Sequence, residues 1–192
     1  MHARLSALLV AVGAVAAVTA CGDTTAPGAR FSNLDQFPVV FAMSGTPPSL
    51  PSGIAVRGGS VVRIDPSWAF DIAFDMTDAG VVRVHSARAI ATELSTVNRV
   101  GFLFTPDAFS EVTRAPTTGY AYDTTFTLPV GAVMLIDVVD VRSCGGSLFS
   151  GPNIRAKMVL DSVNVVSRAV YLHMLSNPNC GLRSLVQGEP KD

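Results

Sequence analysis

The stretch at 67–87 reads SWAFDIAFDMTDAGVVRVHSA, and its alternation decides the fold class. In its first half every second residue is large and apolar: Trp68, Phe70, Ile72, Phe74 and Met76. A period of two is typical of a β-strand with one buried face. Thr77–Gly80 supplies a turn. Apolar and polar residues alternate again in the second half: Val82, Arg83, Val84 and His85. The stretch therefore predicts an antiparallel hairpin with one face in water.

Further runs of strand character lie on both sides of this hairpin, separated by turn residues: 37–43, 60–64, 97–104, 120–128, 133–139, 154–163 and 165–175. Eight or nine such strands predict an all-β domain, an antiparallel sandwich or a barrel-like fold. One short helix is expected from Thr105 to Arg114, because Thr105 can cap it and Pro106 suits its first position.

The alternation also predicts which side chains form the core. They are the large apolar residues on the inward side of each strand: Trp68, Phe70, Ile72, Phe74, Val82, Val84, Phe102, Phe104, Leu135, Met158, Leu160 and Leu172.

The first twenty residues differ from the rest of the chain. Arg4 is followed by an uncharged run from Leu5 to Ala20. A basic start, a short apolar segment and small residues at the end are typical of a secretory signal peptide. The run is shorter than the roughly 20 apolar residues of a membrane-spanning helix.

The end of this leader, Val18-Thr19-Ala20-Cys21, resembles the lipobox of bacterial lipoproteins. The resemblance implies that Cys21 becomes the first residue and carries a diacylglycerol thioether, usually with an additional acyl chain such as palmitate. Two or three chains would anchor the protein to a membrane of the cell envelope. Gly22 follows, where Asp would favour the inner membrane, so the outer membrane is favoured in a host with two membranes. The alternative is ordinary cleavage that leaves Cys21 a plain thiol.

The organisation that follows is a signal peptide at 1–20, a lipid-attached flexible tether at 21–35 and one β-rich domain at 36–192. Without Arg4, the mature chain has a net charge of 13 − 15 = −2. This balance argues against nucleic acid as a partner. Cys144 and Cys180 remain as an even pair, for which a disulfide is expected in an oxidising compartment. Metal ligation by this pair is the alternative.

The residues that could carry chemistry are few. No Gly-x-Ser-x-Gly nucleophile motif is present. The carboxylate pairs Asp71/Asp75 and Asp137/Asp140 are expected on solvated strand faces. The aromatic residues Tyr120, Tyr122 and Phe126 share one predicted strand face and are expected to pack in the core, or else to stack on a sugar.

His85 and His173 are weak candidates for ligands of a metal or a haem iron, since imidazole is a common ligand. One further resemblance concerns them. The segment Trp68–Phe74 resembles a Trp-Asp-Ile-Ala-Phe segment of HmuY-type haem-binding lipoproteins, and 156–159 resembles a late strand of that family. This resemblance implies a haem-carrying β protein, but the spacing of Trp68 and Asp71 differs, so no haem ligand is transferred.

Three functions remain open. The first is a non-catalytic binding or structural domain anchored in the envelope, with no cofactor and with an unidentified protein or small-molecule ligand. The second is a carrier of haem or another small ligand. The third is a hydrolase whose site is assembled only in three dimensions.

Overall fold

The computed structural model describes residues 28–65, 69–90, 98–144 and 151–190. This part of the chain is mostly β-structure, with two short helices, α1 (Ala87–Ile90) and α2 (Val141–Cys144). The strands are β1 (Leu34–Gln36), β2 (Val39–Phe41), β3 (Gly53–Ala55), β4 (Ser60–Val62), β5 (Ile72–Met76), β6 (Val82–Ser86), β7 (Arg99–Thr105), β8 (Ala121–Tyr122), β9 (Thr125–Leu128), β10 (Val133–Val139), β11 (Asn153–Asn164) and β12 (Ala169–Asn177).

The strands form two antiparallel sheets that pack as a sandwich. The large sheet has seven strands in the order β1-β12-β11-β10-β7-β8, and β2 also pairs with β12. The small sheet has the order β4-β3-β5-β6-β9. The predicted all-β class is confirmed, and the sandwich is the correct one of the two architectures. Cys144 and Cys180 form the expected disulfide, which joins the end of α2 to the turn after β12.

Strands β5 and β6 form the hairpin predicted from the stretch at 67–87. Phe74 pairs with Val84 and Met76 pairs with Val82 across it. Gly80, at a φ of 81°, closes the turn by donating its N–H to the carbonyl of Thr77 at 3.0 Å. Glycine adopts this backbone angle without strain. The inward residues of the hairpin lie in the core between the sheets, as the alternation predicted.

The predicted core divides into three parts in the structure. Eight of the predicted residues lie between the two sheets: Ile72, Phe74, Val82, Val84, Phe102, Met158, Leu160 and Leu172. Phe70 and Leu135 are buried as well, but in separate clusters outside the main core. Phe104 is 37 % exposed, so its assignment to the core is wrong. It lies near the end of β7, where its ring meets Phe126 edge-on and otherwise faces solvent. Trp68 lies outside the described residues.

The N-terminal edge of the large sheet is made of two pieces. β1 pairs with the end of β12 and β2 pairs with its beginning, so that the two strands lie end to end. Pro38 lies between them and accepts a hydrogen bond from the N–H of Leu172 at 3.1 Å. Proline has no N–H to donate, which restricts it to a sheet edge or a break in a strand. The break places Phe37 on the outer surface, beside β12.

Residues assigned to the tether by the sequence are part of the fold. The N–H groups of Arg30 and Phe31 donate to Oδ1 of Asn179 at 2.7 and 3.0 Å. Asn33 donates its N–H to the carbonyl of Gly188 at 2.8 Å. The chain therefore enters the domain beside the turn that follows β12, several residues before the predicted boundary.

The helix predicted from Thr105 to Arg114 does not form. Thr105 does make a capping contact at the start of the segment: Asp107 donates its N–H to Oγ1 of Thr105 at 3.2 Å. The segment makes a single turn, in which the carbonyl of Ala108 accepts from Glu111 and Val112. It then runs as a loop across the large sheet, because Pro116 has no N–H to donate to the Val112 carbonyl and disfavours helical backbone at Ala115.

Replacing Phe74 with Ala is expected to lower the free energy of unfolding by about 3–5 kcal/mol, because the fully buried ring leaves a cavity. Urea denaturation followed by circular dichroism measures this loss. The matched control is Phe104→Ala, whose exposed ring predicts a clearly smaller loss. Equal losses for the two variants would contradict the assignment of the core.

Candidate ligand-binding site

The outer face of the large sheet, turned away from the small sheet, carries the candidate site. Its middle row runs across five strands in register: Asp35, Leu175, Lys157, Leu135 and Leu103. Because successive residues of a strand point to opposite faces, these side chains all point away from the main core. The row is apolar apart from a lysine near its centre and a carboxylate at its edge.

Two segments cover this face, 105–116 and the C-terminal 178–188. They are joined by two backbone hydrogen bonds of 2.8 Å, from Ala115 N–H to the carbonyl of Arg183 and from Leu185 N–H to the carbonyl of Thr113. Beneath them lies a second apolar cluster: Val112, Ala115, Val133, Leu135, Leu175 and Leu185. The large sheet is thus packed on both faces. This explains why β10 reads as a continuous apolar run.

Lys157 connects the sheet to its cover. Its side chain is buried, and Nζ donates to the carbonyl oxygens of Phe109 and Val112 at 2.7 and 2.8 Å. The ammonium also lies 4.4 Å from the centroid of the Phe109 ring, a cation–π contact. Burial lowers the pKa of Lys157, and the charge of Asp35 opposes this shift. These contacts therefore fix the distance between the 105–116 segment and the sheet.

A polar cluster occupies the neighbouring row of the same face. Arg155 forms an ion pair with Asp137, its cross-strand partner, and the hydroxyl of Tyr122 donates to the same carboxylate. Asn153 donates its side-chain N–H to both carboxylate oxygens at 2.9 and 3.0 Å. Gly101 lies under the Tyr122 ring, where a Cβ would approach ring carbons to 2.8 Å. Asp137 is only 1 % exposed. The cluster therefore links three strands through buried contacts: β8, β10 and β11.

The expectation of solvated carboxylates is wrong for several of these residues. Asp137 is held in the cluster just described. Asp71 is only 7 % exposed and accepts hydrogen bonds from Val56 N–H at 2.7 Å and from the Asn98 side chain at 2.9 Å. Burial raises the pKa of Asp71, and these hydrogen bonds oppose the shift. Asp140 accepts from Ser143 N–H at 3.0 Å. Each buried carboxylate is satisfied by donors from loops or neighbouring strands.

His173 lies on the outer face of the large sheet within a stack of three rings. Phe37 is parallel to it at 4.3 Å between centroids, and Phe109 lies on its other side at 4.1 Å. Its Nε2 is 2.7 Å from Oδ1 of Asp35. Both faces of the imidazole and one nitrogen are therefore engaged within the protein.

His85 belongs to the other sheet. It lies on β6 with Val82 and Val84 directed into the main core, so its ring points to the outer face of the small sheet. Nδ1 is 2.8 Å from Oγ1 of Thr125. Burial lowers the pKa of His85. His85 and His173 lie on opposite outer faces of the sandwich and do not converge on one metal or haem iron. In the part of the chain that the structure describes, no group of three or more His, Cys, Asp or Glu residues is placed to hold a metal.

The aromatic residues expected to share a face are divided between the sheets. Tyr120 and Tyr122 lie on the large sheet, with rings 6.4 Å apart. Phe126 belongs to β9 of the small sheet and packs against the main core. Burial raises the pKa of Tyr120 to about 12. Tyr120 and Phe126 are half-buried against apolar clusters, whereas Tyr122 is half-buried in the polar cluster of Asp137, so core packing describes only two of the three.

A cavity of about 460 Å³, open to solvent, is lined by residues of the sheet and of the 105–116 segment. Leu103 and Leu135 of the middle row belong to its lining. The rest of the lining comes from the end of β7 and from the two covering segments: Phe104, Thr105, Pro106, Asp107, Glu111, Val112, Thr113, Arg114, Pro116 and Arg183. Its size falls within the range of small-molecule sites, roughly 300–1,000 Å³. The sequence does not reveal this site, because most of its polar residues lie on a segment expected to be a helix and Arg183 lies on a segment distant in sequence.

Comparison with protein-family models and with curated proteins finds no match to this chain. Among the described residues, no helix has the length and apolar character needed to span a membrane.

Replacing Asp137 with Asn is expected to lower the free energy of unfolding by roughly 3–5 kcal/mol, because the Arg155 guanidinium is left buried without its counter-charge. Chemical denaturation measures the loss. Asp123→Asn is the matched control, since the ion pair between Asp123 and Arg99 is partly exposed and contributes about 0–1 kcal/mol. A loss as small as that of the control would contradict a structural role for the buried pair.

The raised pKa of Asp71 predicts an unusual dependence of the free energy of unfolding on pH. Its pKa is raised in the folded state, so the folded protein binds more protons than the unfolded chain at pH values between the unfolded pKa, near 3.8, and the raised one. The contribution of Asp71 to stability is therefore greatest below the unfolded pKa and falls as pH rises through this window. Relative to Asp71→Asn, the natural protein should lose stability as pH rises from the unfolded pKa through the raised pKa of the folded state.

Asp75 provides the control of opposite sign. Burial alone would raise the pKa of Asp75, but hydrogen bonds from the backbone and hydroxyl of Ser44 outweigh it and lower the pKa. Relative to Asp75→Asn, the natural protein should therefore lose stability as pH falls through the lowered pKa. Unfolding curves at several pH values test both variants, and slopes of the same sign would contradict these assignments.

Proposed function

We propose that this chain is a lipid-anchored protein of the cell envelope whose β-sandwich binds a ligand without chemical turnover. The cavity under the 105–116 segment is the observation that supports binding most directly. Its lining combines apolar side chains, among them Leu103 and Leu135 of the sheet, with four charged side chains. Concave sites that combine apolar surface with polar groups are typical of ligand-binding pockets.

The rigidity of the cavity supports binding by a preformed site. Its roof is tied to the sheet through Lys157 and to the C-terminal segment through the backbone hydrogen bonds of Ala115 and Leu185. A roof fixed on two sides loses little conformational entropy when a ligand enters. Ordering of the site then takes little from the free energy of binding.

The use of the buried polar groups favours binding over catalysis. A hydrolytic site needs an acid, a base or a nucleophile directed at one common space. The carboxylates of Asp71, Asp137 and Asp140 are each bonded to groups of the protein itself. Turnover of common esters, glycosides or peptides by the purified protein, lost on mutating one acidic residue or histidine, would contradict this part of the proposal.

The anchor part of the proposal rests on the lipobox and on where the chain enters the domain. Arg30 is bonded beside Asn179, at one end of the sandwich. About nine residues separate it from Cys21, a reach of roughly 30 Å when extended. The outer membrane is the favoured location in a host with two membranes, because Gly22 follows the cysteine.

Replacing Cys21 with Ala is expected to move the protein from the membrane fraction to the soluble fraction, because no thiol remains for acylation. Fractionation of producing cells measures this, and mass spectrometry of the natural protein should find a diacylated or triacylated N-terminus. Gly22→Ala is the control and should stay in the membrane. An unmodified N-terminal cysteine, or a Cys21→Ala variant still in the membrane fraction, would contradict lipid anchoring.

A further inference from the structure

We propose that the N-terminal edge of the large sheet, from residue 35 to residue 39, binds an extended segment of another protein. The segment adds antiparallel to the sheet as a further strand and carries an aromatic side chain. This edge contributes no residue to the cavity, so the inference goes beyond the proposed function. It follows from the backbone groups of the edge and from a row of stacked rings that ends there.

The backbone groups of the edge face alternately toward β12 and away from it. β1 and β2 pair with β12 in one continuous register, although Pro38 lies between them. Pro38 and Ala42 face β12, because their backbone groups are bonded to those of Leu172 and Arg168. Residues that exchange bonds with a neighbouring antiparallel strand alternate with residues whose N–H and C=O point the other way. The odd-numbered residues from 33 to 41 therefore direct these groups away from β12.

The chain itself bonds to this outer side at two places and leaves the middle open. Asn33 donates its N–H to the carbonyl of Gly188 at 2.8 Å in an antiparallel bridge, and Phe41 donates to the carbonyl of Pro51 at 2.9 Å. Between them, no hydrogen bond of the described residues engages the outward N–H groups of 35–39. This stretch is an edge slot of roughly 17 Å, the length of a five-residue strand.

The edge slot lacks the features by which exposed edges usually avoid pairing, such as an outward-facing proline or a charged side chain. The missing N–H of Pro38 faces β12, so the outward donors of Phe37 and Val39 are intact. Both of these side chains are exposed, and both residue types favour strands. Asp35 is the one charged residue of the slot, and its carboxylate is bonded to His173 at 2.7 Å.

The stack of three rings ends at the edge slot. Phe109, His173 and Phe37 follow one another across the sheet, with centroids 4.1 and 4.3 Å apart. The imidazole covers one face of the Phe37 ring, and the other face turns toward the open edge, which leaves Phe37 69 % exposed. The residue of an added strand that lies opposite Phe37 points to the same face of the sheet. An aromatic side chain there stacks on Phe37 and continues the row.

A second copy of this chain does not fit the edge slot. Pairing of two slots in full register, about Phe37, puts Phe41 of one copy opposite Asn33 of the other, and Gly188 occupies that position. A ladder of five residues is also small beside the roughly 1,200–2,000 Å² that stable interfaces bury. A short extended segment of another protein meets neither obstacle, and strand addition is a common mode of peptide recognition.

Calorimetric titration of the full, detergent-solubilised protein with the pentapeptide acetyl-Val-Thr-Phe-Thr-Lys-amide tests this. In the antiparallel register the peptide's phenylalanine lies opposite Phe37, its valine opposite Val39 and its lysine opposite Asp35. We expect saturable binding, together with slower hydrogen exchange at the amides of Phe37 and Val39. Absence of binding, or binding without protection of these amides, would overturn the inference.

Methylated forms of the peptide separate strand addition from general apolar contact. N-methylation of the phenylalanine removes the N–H that is donated to the Phe37 carbonyl, so affinity should fall about tenfold or more. N-methylation of the threonine that follows it alters an N–H that points away from the sheet. That peptide is the matched control and should bind as the unmodified one does. Equal affinities of the two methylated peptides would contradict pairing with the edge.

Phe37→Ala tests the contribution of the ring and should weaken binding of the pentapeptide about tenfold, because the stacking surface is lost. Phe31→Ala, at another exposed phenylalanine outside the edge slot, is the matched control and should bind normally. Normal binding by Phe37→Ala would overturn the aromatic preference. Sedimentation of the natural protein without peptide tests the other occupant. A dimer in which the same two amides are protected would replace the peptide with a second copy and overturn the inference.

Discussion

The packing of the 105–116 segment on the outer face of the large sheet depends on the hydrogen bonds from Lys157 to the carbonyl oxygens of Phe109 and Val112. A buried ammonium loses its hydration, and such a group is tolerated only when its donors are satisfied. The two carbonyls and the ring of Phe109 provide that satisfaction. The same bonds hold two carbonyl groups of the covering segment against the sheet, so one lysine fixes the distance between the segment and the sheet.

Covering the large sheet on both faces has consequences for its composition. Strands packed on one side only alternate between apolar and polar residues, as β6 does. β10 is buried along nearly its whole length, and its outward positions include Leu135, in the second apolar cluster, and Asp137, in the ion pair with Arg155. The outer face thus combines an apolar part, over which the cavity forms, with a polar part that fixes neighbouring strands.

The elements predictable from sequence are those that depend on local pattern. The β5–β6 hairpin follows from strict alternation and a turn glycine, and the disulfide follows from the presence of two cysteines, Cys144 and Cys180, within the domain. Alternation predicts that Asp71 and Asp137 are solvated. It indicates which face of a sheet a residue lies on, but not what covers that face. Which N–H or guanidinium lies opposite a carboxylate depends on contacts beyond the local pattern, here the hydrogen bond from Val56 N–H to Asp71 and the cross-strand pairing of Asp137 with Arg155.

The covering segment shows the same limit for the candidate site. Thr105, Pro106 and Asp107 favour a helix start, and the first turn forms. The segment then leaves the helical path before Pro116, which has no N–H to donate, and the Val112 carbonyl accepts instead from Lys157, 45 residues later. The charged residues of the cavity lie on this segment and on its C-terminal partner. Sequence spacing alone could not bring Glu111 and Arg183 into one lining.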